Sequence, residues 1–97
     1  MTAGTGQTWL WRQCVALAGA LAEAGVQDIA LTLPDGTRRV LVTRQTDLAG
    51  TLGSASIGAV LEVAALGLAV VRDPDRLRVA RAEGPMALAI ETLLATR

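Results

Sequence analysis

Two turn signals constrain the architecture of this chain more than any other feature. "LPDG" at 33–36 and "DPDR" at 73–76 are each flanked by short apolar runs. Proline presets the φ angle of a turn, and a neighbouring Asp or Gly completes the reversal. In "VQDIALTLPDGTRRVLVT", Ile29, Leu31 and Leu33 alternate with Ala30 and Thr32. On the return, Val40 and Val42 alternate with Arg39, Leu41 and Thr43. In "GLAVVRDPDRLRVARAEGP", Leu68 and Val70 match Leu77 and Val79 across a type I turn. Period-two patterns around turn residues predict two antiparallel hairpins. A chain of 97 residues holds them in one domain.

The remaining segments read as helices. Thr8 is a candidate N-cap for a helix to about Ala24, with residues 1–7 expected to be disordered. Leu10, Cys14, Leu17 and Leu21 form its inward stripe, and Gly25 its stop. Trp9 and Trp11 lie about 200° apart on such a helix, so one core cannot take both. Trp11 flanks the apolar stripe better and is expected inside, leaving Trp9 as a lid or partner contact. "RQTDLAGTLGSAS" is a connector with one helical turn after Thr46, because Gly50 and Gly53 oppose a continuous helix. Ser54 or Ser56 then caps a second helix to Leu66, burying Ile57, Val60, Leu61 and Ala64, and Gly67 ends it. Pro85 opens the last helix at its first position, with Met86, Ile90 and Leu93 inward. "ALAEAGVQDIALTLPDG" loosely echoes "LEVAALGLAVVRDPDR", a hint of a pseudo-repeat. The expected fold is α+β, a two-layer sandwich of order α-ββ-α-ββ-α, with antiparallel hairpins packed against helices over residues 8–97. Whether the hairpins join into one sheet is not readable from the pattern.

The chemical inventory excludes much of enzymology. The chain has no His, Lys, Tyr, Phe or Asn. A serine or cysteine nucleophile lacks its usual histidine base. Cys14 is the single cysteine, so neither an intrachain disulfide nor a thiolate metal site is available. "GTLGSAS" has no lysine to hold a phosphate and is read as a plain loop. Asp73 and Asp75 flank a turn proline beside arginines, which favours solvation over acid–base work. Glu62 is placed on the solvent side of the second helix. No catalytic constellation, cofactor site or metal site is expected, and the chain is read as a non-enzyme.

The nine basic residues are all arginines, balanced by nine acids to zero net charge. Nucleic-acid binders usually carry a basic surplus, so nucleic acid is disfavoured as a partner. The longest apolar run, Ile57–Val71, is too short for a membrane span and carries Glu62. With no signal-peptide pattern at the start, a reducing cytoplasm is the expected compartment. Apolar residues make up 52% of the chain and charged ones 19%. That excess fits either apolar surface buried against another chain or the alanine-rich usage of a GC-rich, bacterial genome.

Three stretches resemble known families. "TDLAGTLGSASIGAVLEVAALGLAVVRDPDRLRVA" is similar in order to a winged helix-turn-helix. Its recognition helix, "SIGAVLEVAAL", would lack Arg, Lys, Asn and Gln for reading base edges. "VLEVAALGLAVVRDPDRLRVA" resembles the helix-plus-hairpin core of TubC-type docking domains, which implies a strand edge offered to a peptide. "LAEAGVQDIALTLPDG" resembles the opening of roadblock-type dimerisation domains. That resemblance requires a third strand after the second helix, for which the pattern offers no candidate. Helix one presents Ala16, Gly19 and Ala20 outward, and helix three carries few charges. The expected function is a small protein–protein interaction module, an adaptor or docking domain, forming a homodimer or larger assembly. Trp9, Gly19, Arg72, Arg76 and Arg78 are the candidate partner contacts. A winged-helix-like DNA-binding protein is the alternative.

Overall fold

The computed structural model describes residues 5–96, with side chains from Trp9 onward. Helix α1 spans Thr5–Glu23, strand β1 Asp28–Thr32 and strand β2 Arg38–Val42. Helix α2 spans Leu48–Gly53, and strand β3 Val60–Val63. A single 3-10 turn, Ala64–Leu66, leads into β4 (Leu68–Arg72), β5 (Leu77–Ala82) and α3 (Pro85–Ala95). The five strands form one antiparallel sheet of order β2-β1-β3-β4-β5. The expected α+β arrangement of helices packed on an antiparallel sheet is therefore present, and β3 joins the two hairpins into one sheet.

Helix α1 follows its sequence pattern. Leu10, Cys14, Leu17 and Leu21 all enter the core. Its C-terminus closes with paired bonds, Gly25 N–H to Ala22 O and Val26 N–H to Leu21 O, at 3.1 and 3.2 Å. Gly25 takes the left-handed conformation (φ +73°) that this closure needs. The helix starts at Thr5, earlier than the expected cap at Thr8. Residues 5–7 are helical, so the expectation of disorder over residues 1–7 otherwise concerns residues 1–4, outside the described residues.

Between the hairpins the expected helix over 54–66 is absent, and a strand stands there instead. "VLEV" has its buried residues at alternate positions, Leu61 and Val63. Period-two burial is the mark of a strand. The spacing of Val60, Leu61 and Ala64 mimics a helical stripe by coincidence. Ile57, assigned to that stripe, is 60% exposed, and Ala64 is exposed too. Gly58 at φ +94° turns the chain into β3. The pseudo-repeat falls with the helix, since one copy begins as a helix and the other as a strand. The helix that does form, α2, lies in the supposed connector. Asp47 caps it, its carboxylate accepting the Gly50 N–H at 3.1 Å. A Cβ at Gly50 would sit 2.5 Å from that carboxylate. The glycine read as a breaker is thus what lets the cap close.

Two stripes are rotated from their expected positions. In the first hairpin Ile29 pairs with Leu41 and Ala30 with Val40. Leu41 is therefore the buried member, and Val40, expected inward, is 61% exposed. In α3 the buried residues are Ala87, Ile90 and Leu94, while Met86 and Leu93 flank the seam with α1. Ala87, fully buried, allows close approach that a larger side chain would prevent.

The helices share one side of the sheet. Residues of α1, α2 and α3 form a single apolar cluster with Ile29, Leu31, Leu41, Leu61, Val63, Leu68 and Val70. The Cα radius of gyration, 12.5 Å, equals the ~12.5 Å of a compact domain of this length.

Candidate protein-interaction surface

The face of the sheet opposite the helices carries no covering element among the described residues. Strand alternation puts Val40, Val42, Ala30, Val60, Ala69 and Val71 on it, and none of the six belongs to the core cluster. Its central rows can be read from the register. One runs Val40, Ala30, Glu62, Ala69, Arg81; the next runs Arg38, Thr32, Val60, Val71, Arg78. A one-sided antiparallel sheet normally turns polar residues outward. Here Arg38, Arg78 and Arg81 stand at the margins, Glu62 sits on the central strand, and the other central positions are aliphatic or small apart from Thr32. Arg81 reaches Glu62 at 3.8 Å, an ion pair spanning the row that contains Ala69. Beside it a shallow groove of about 200 Å³ lies over Ala30, walled by Arg38, Val40 and Glu62.

The two edges of the sheet differ. The β5 edge is closed by Gln13, a side chain of α1 that is only 4% exposed. Its amide accepts the Leu77 N–H at 2.7 Å and donates to the Leu77 carbonyl at 3.3 Å. It also donates to the Leu94 carbonyl of α3 at 2.7 Å. One amide thus imitates a neighbouring strand and ties α1, β5 and α3 together. No pattern in the sequence marks Gln13, because an amide on a helix flank is normally a solvated residue. At the opposite edge, β2 pairs with β1 alone, and Arg38, Arg39 and Val40 are exposed.

The five residues singled out from the sequence do not form one site. Trp9 and Trp11 are oriented opposite to expectation. Trp9 is 9% exposed and donates its indole N–H to the Thr96 carbonyl at 3.3 Å, whereas Trp11 is 49% exposed. The inward stripe tilts toward the α3 side of α1, which favours Trp9. Trp9, expected as a lid or partner contact, therefore presents little surface. Gly19 lies on the outer face of α1, with nothing within 4 Å of where its Cβ would be. Arg72 points into the helix layer, donating to the carbonyls of Asp73 and Gly53. It answers the free C-terminal carbonyls of α2, and its buried Nε has no partner. It is therefore a structural arginine. Arg76 and Arg78 both turn to Asp73, at 3.6 and 2.9 Å. The local charge balance expected of this hairpin holds for that pair and for Arg81 with Glu83.

Cys14 is fully buried, and desolvation raises its thiol pKa, opposed in part by the positive charge of Arg72. Asp35 is exposed and lowered, because its carboxylate accepts the Thr37 N–H at 2.8 Å in the first turn. Among the described residues no group of three or more His, Cys, Asp or Glu is placed to hold a metal, and no helix is long and apolar enough to cross a membrane. The segment that a winged helix would place in the major groove is β3, in the middle of the sheet. The helix implied by the docking-domain resemblance is the same strand. The third strand after the second helix, required by the roadblock-type resemblance, is present as β3. No family model, curated protein or solved structure matches the chain.

Proposed function

We propose that this chain is a non-enzymatic protein-interaction module, an adaptor or docking domain that associates with itself and with another protein. The observation that carries this reading is the helix-free face of the sheet. Val60 and Val71 lie at its centre, bracketed by Arg38 on one margin and Arg78 on the other. An apolar centre with a polar rim is the anatomy of an interface core. The absence of His, Lys, Tyr and Asn further supports binding over catalysis. We place its action in the cytoplasm, where a lone thiol stays reduced.

The test is quantitative cross-linking and capture from the native host, with the intact chain against Val71→Glu. Both proteins are checked by circular dichroism. One stoichiometric partner retained by the wild type and lost by the variant supports the assignment. Equal capture by both proteins removes the sheet face as the site. A hydrolytic activity that survives stringent purification and disappears in Asp73→Asn or Glu62→Gln overturns the non-enzymatic reading.

A further inference from the structure

The fold closes one edge of the sheet with a dedicated side chain and leaves the other unpaired. At β5, Gln13 occupies both backbone groups of Leu77. At β2, the ladder to β1 is phased by Thr43 N–H to Gln27 O (2.9 Å) and Leu33 N–H to Thr37 O (2.7 Å). Bonded pairs recur every second residue in an antiparallel ladder. Residues 37, 39, 41 and 43 therefore bond to β1, and Arg38 and Val40 aim both their N–H and C=O groups outward; the Val42 N–H does so too, while its carbonyl accepts the Gln45 and Thr46 N–H at 2.9 and 3.0 Å in the turn that follows. The side chains of Arg38, Val40 and Val42 share the open face. Val40 stands in the middle of this row, exposed beyond any other large apolar residue named for this surface.

We infer that β2 is the edge on which a second copy of this chain pairs, antiparallel about a two-fold axis at Val40, giving a continuous ten-stranded sheet. The proposal deepens the interaction-module reading and rests on it. In this register Val40 faces Val40 of the second copy, and Arg38 faces Val42 on either side. These pairs exchange about four backbone hydrogen bonds, two at Val40 and one at each Arg38–Val42 pair, where the Val42 carbonyl is engaged in its own chain. Arg39 then faces Leu41. A two-residue slip one way sets Arg39 against itself, and a slip the other way leaves Arg38 opposite the turn that follows Val42, with no strand partner. Like charges directly opposite are destabilising, so Arg39 disfavours the first slip, and the lost pair disfavours the second. The contact is small, a strand of five residues or ~17 Å. Association in the micromolar range follows, below that of a standard-size interface.

The experiment is sedimentation velocity on the full chain from about 1 to 300 μM, for wild type and Val40→Pro. Proline at position 40 removes an outward N–H and leaves the bonds to β1 intact. The expected result is a concentration-dependent wild-type dimer, weakened at least tenfold by Val40→Pro. A second arm does not depend on the proline being tolerated. Val40→Cys should cross-link to a disulfide dimer under mild oxidation, because facing residues of a bonded pair lie ~5.5 Å apart. Ile57→Cys, equally exposed, should not. A strict monomer at every concentration, or equal cross-linking of the two cysteine variants, overturns the edge proposal. So does a dimer indifferent to Val40→Pro but abolished by Val71→Glu, which would put the second copy on the open face and leave the interaction-module reading standing.

Discussion

At the scale of single residues, the least expected contributor is Gln13. A polar side chain is buried at little net cost when each of its groups is paired, and this amide makes three bonds to backbone. Gln13→Leu keeps the approximate volume and orphans the Leu77 N–H together with two carbonyls. The expected loss is about 2–3 kcal/mol, given the cost of a buried unsatisfied group, measured by urea unfolding. Exposure of the β5 edge should add a tendency to aggregate. Wild-type stability in that variant would show that the clip contributes nothing. Cys14 was legible as a small core residue from its place in the helical stripe. Trp9 was not, because two tryptophans on opposite flanks of one stripe leave the tilt of the helix undetermined.

At the scale of elements, glycine separates conformational need from tolerance. Gly67 ends the 3-10 turn at φ +67°, and a Cβ there would meet the Glu83 carbonyl oxygen at 2.6 Å. Gly19 lies mid-helix with open space around it. The same substitution should act with opposite sign at the two positions. Gly67→Ala is expected to destabilise by about 1–3 kcal/mol through backbone strain and the clash. Gly19→Ala should stabilise by roughly 0.5–1 kcal/mol, the helix-interior difference between the two residues. Thermal melts of both variants decide it, and shifts of the same sign would refute the assignment. The hairpins were legible because a turn and a period-two pattern are local signals. The segment 57–66 was not. Its four strand residues fit a helical stripe equally well, and pairing with β1 and β4 on both sides decides between them.

At the scale of the whole molecule, the arginines of the β4–β5 hairpin are neutralised locally, while Arg38 and Arg39 stand exposed on the β2 edge. Arg76 and Arg78 share Asp73, Arg81 is held by Glu62 and Glu83, and Arg72 is turned inward. A hairpin neutralised in this way gives up few counterions to a phosphate backbone. Binding to mixed-sequence duplex at low salt should therefore be negligible, and unchanged in Arg76→Ala/Arg78→Ala. Salt-sensitive micromolar binding abolished by that double variant would restore the DNA-binding alternative. By itself the sequence determined the local events: where the chain turns, the inward stripe of α1, the proline start of α3 and the α+β class. These depend on residues a few positions apart, so a one-dimensional pattern contains them. Tertiary structure alone decided that the hairpins share one sheet, that Leu41 rather than Val40 faces the helices, and that one sheet face and one edge stay uncovered. Each of these depends on partners distant in sequence. Gln13 and Leu77 lie 64 residues apart, and only the closed fold brings that amide to the edge it seals.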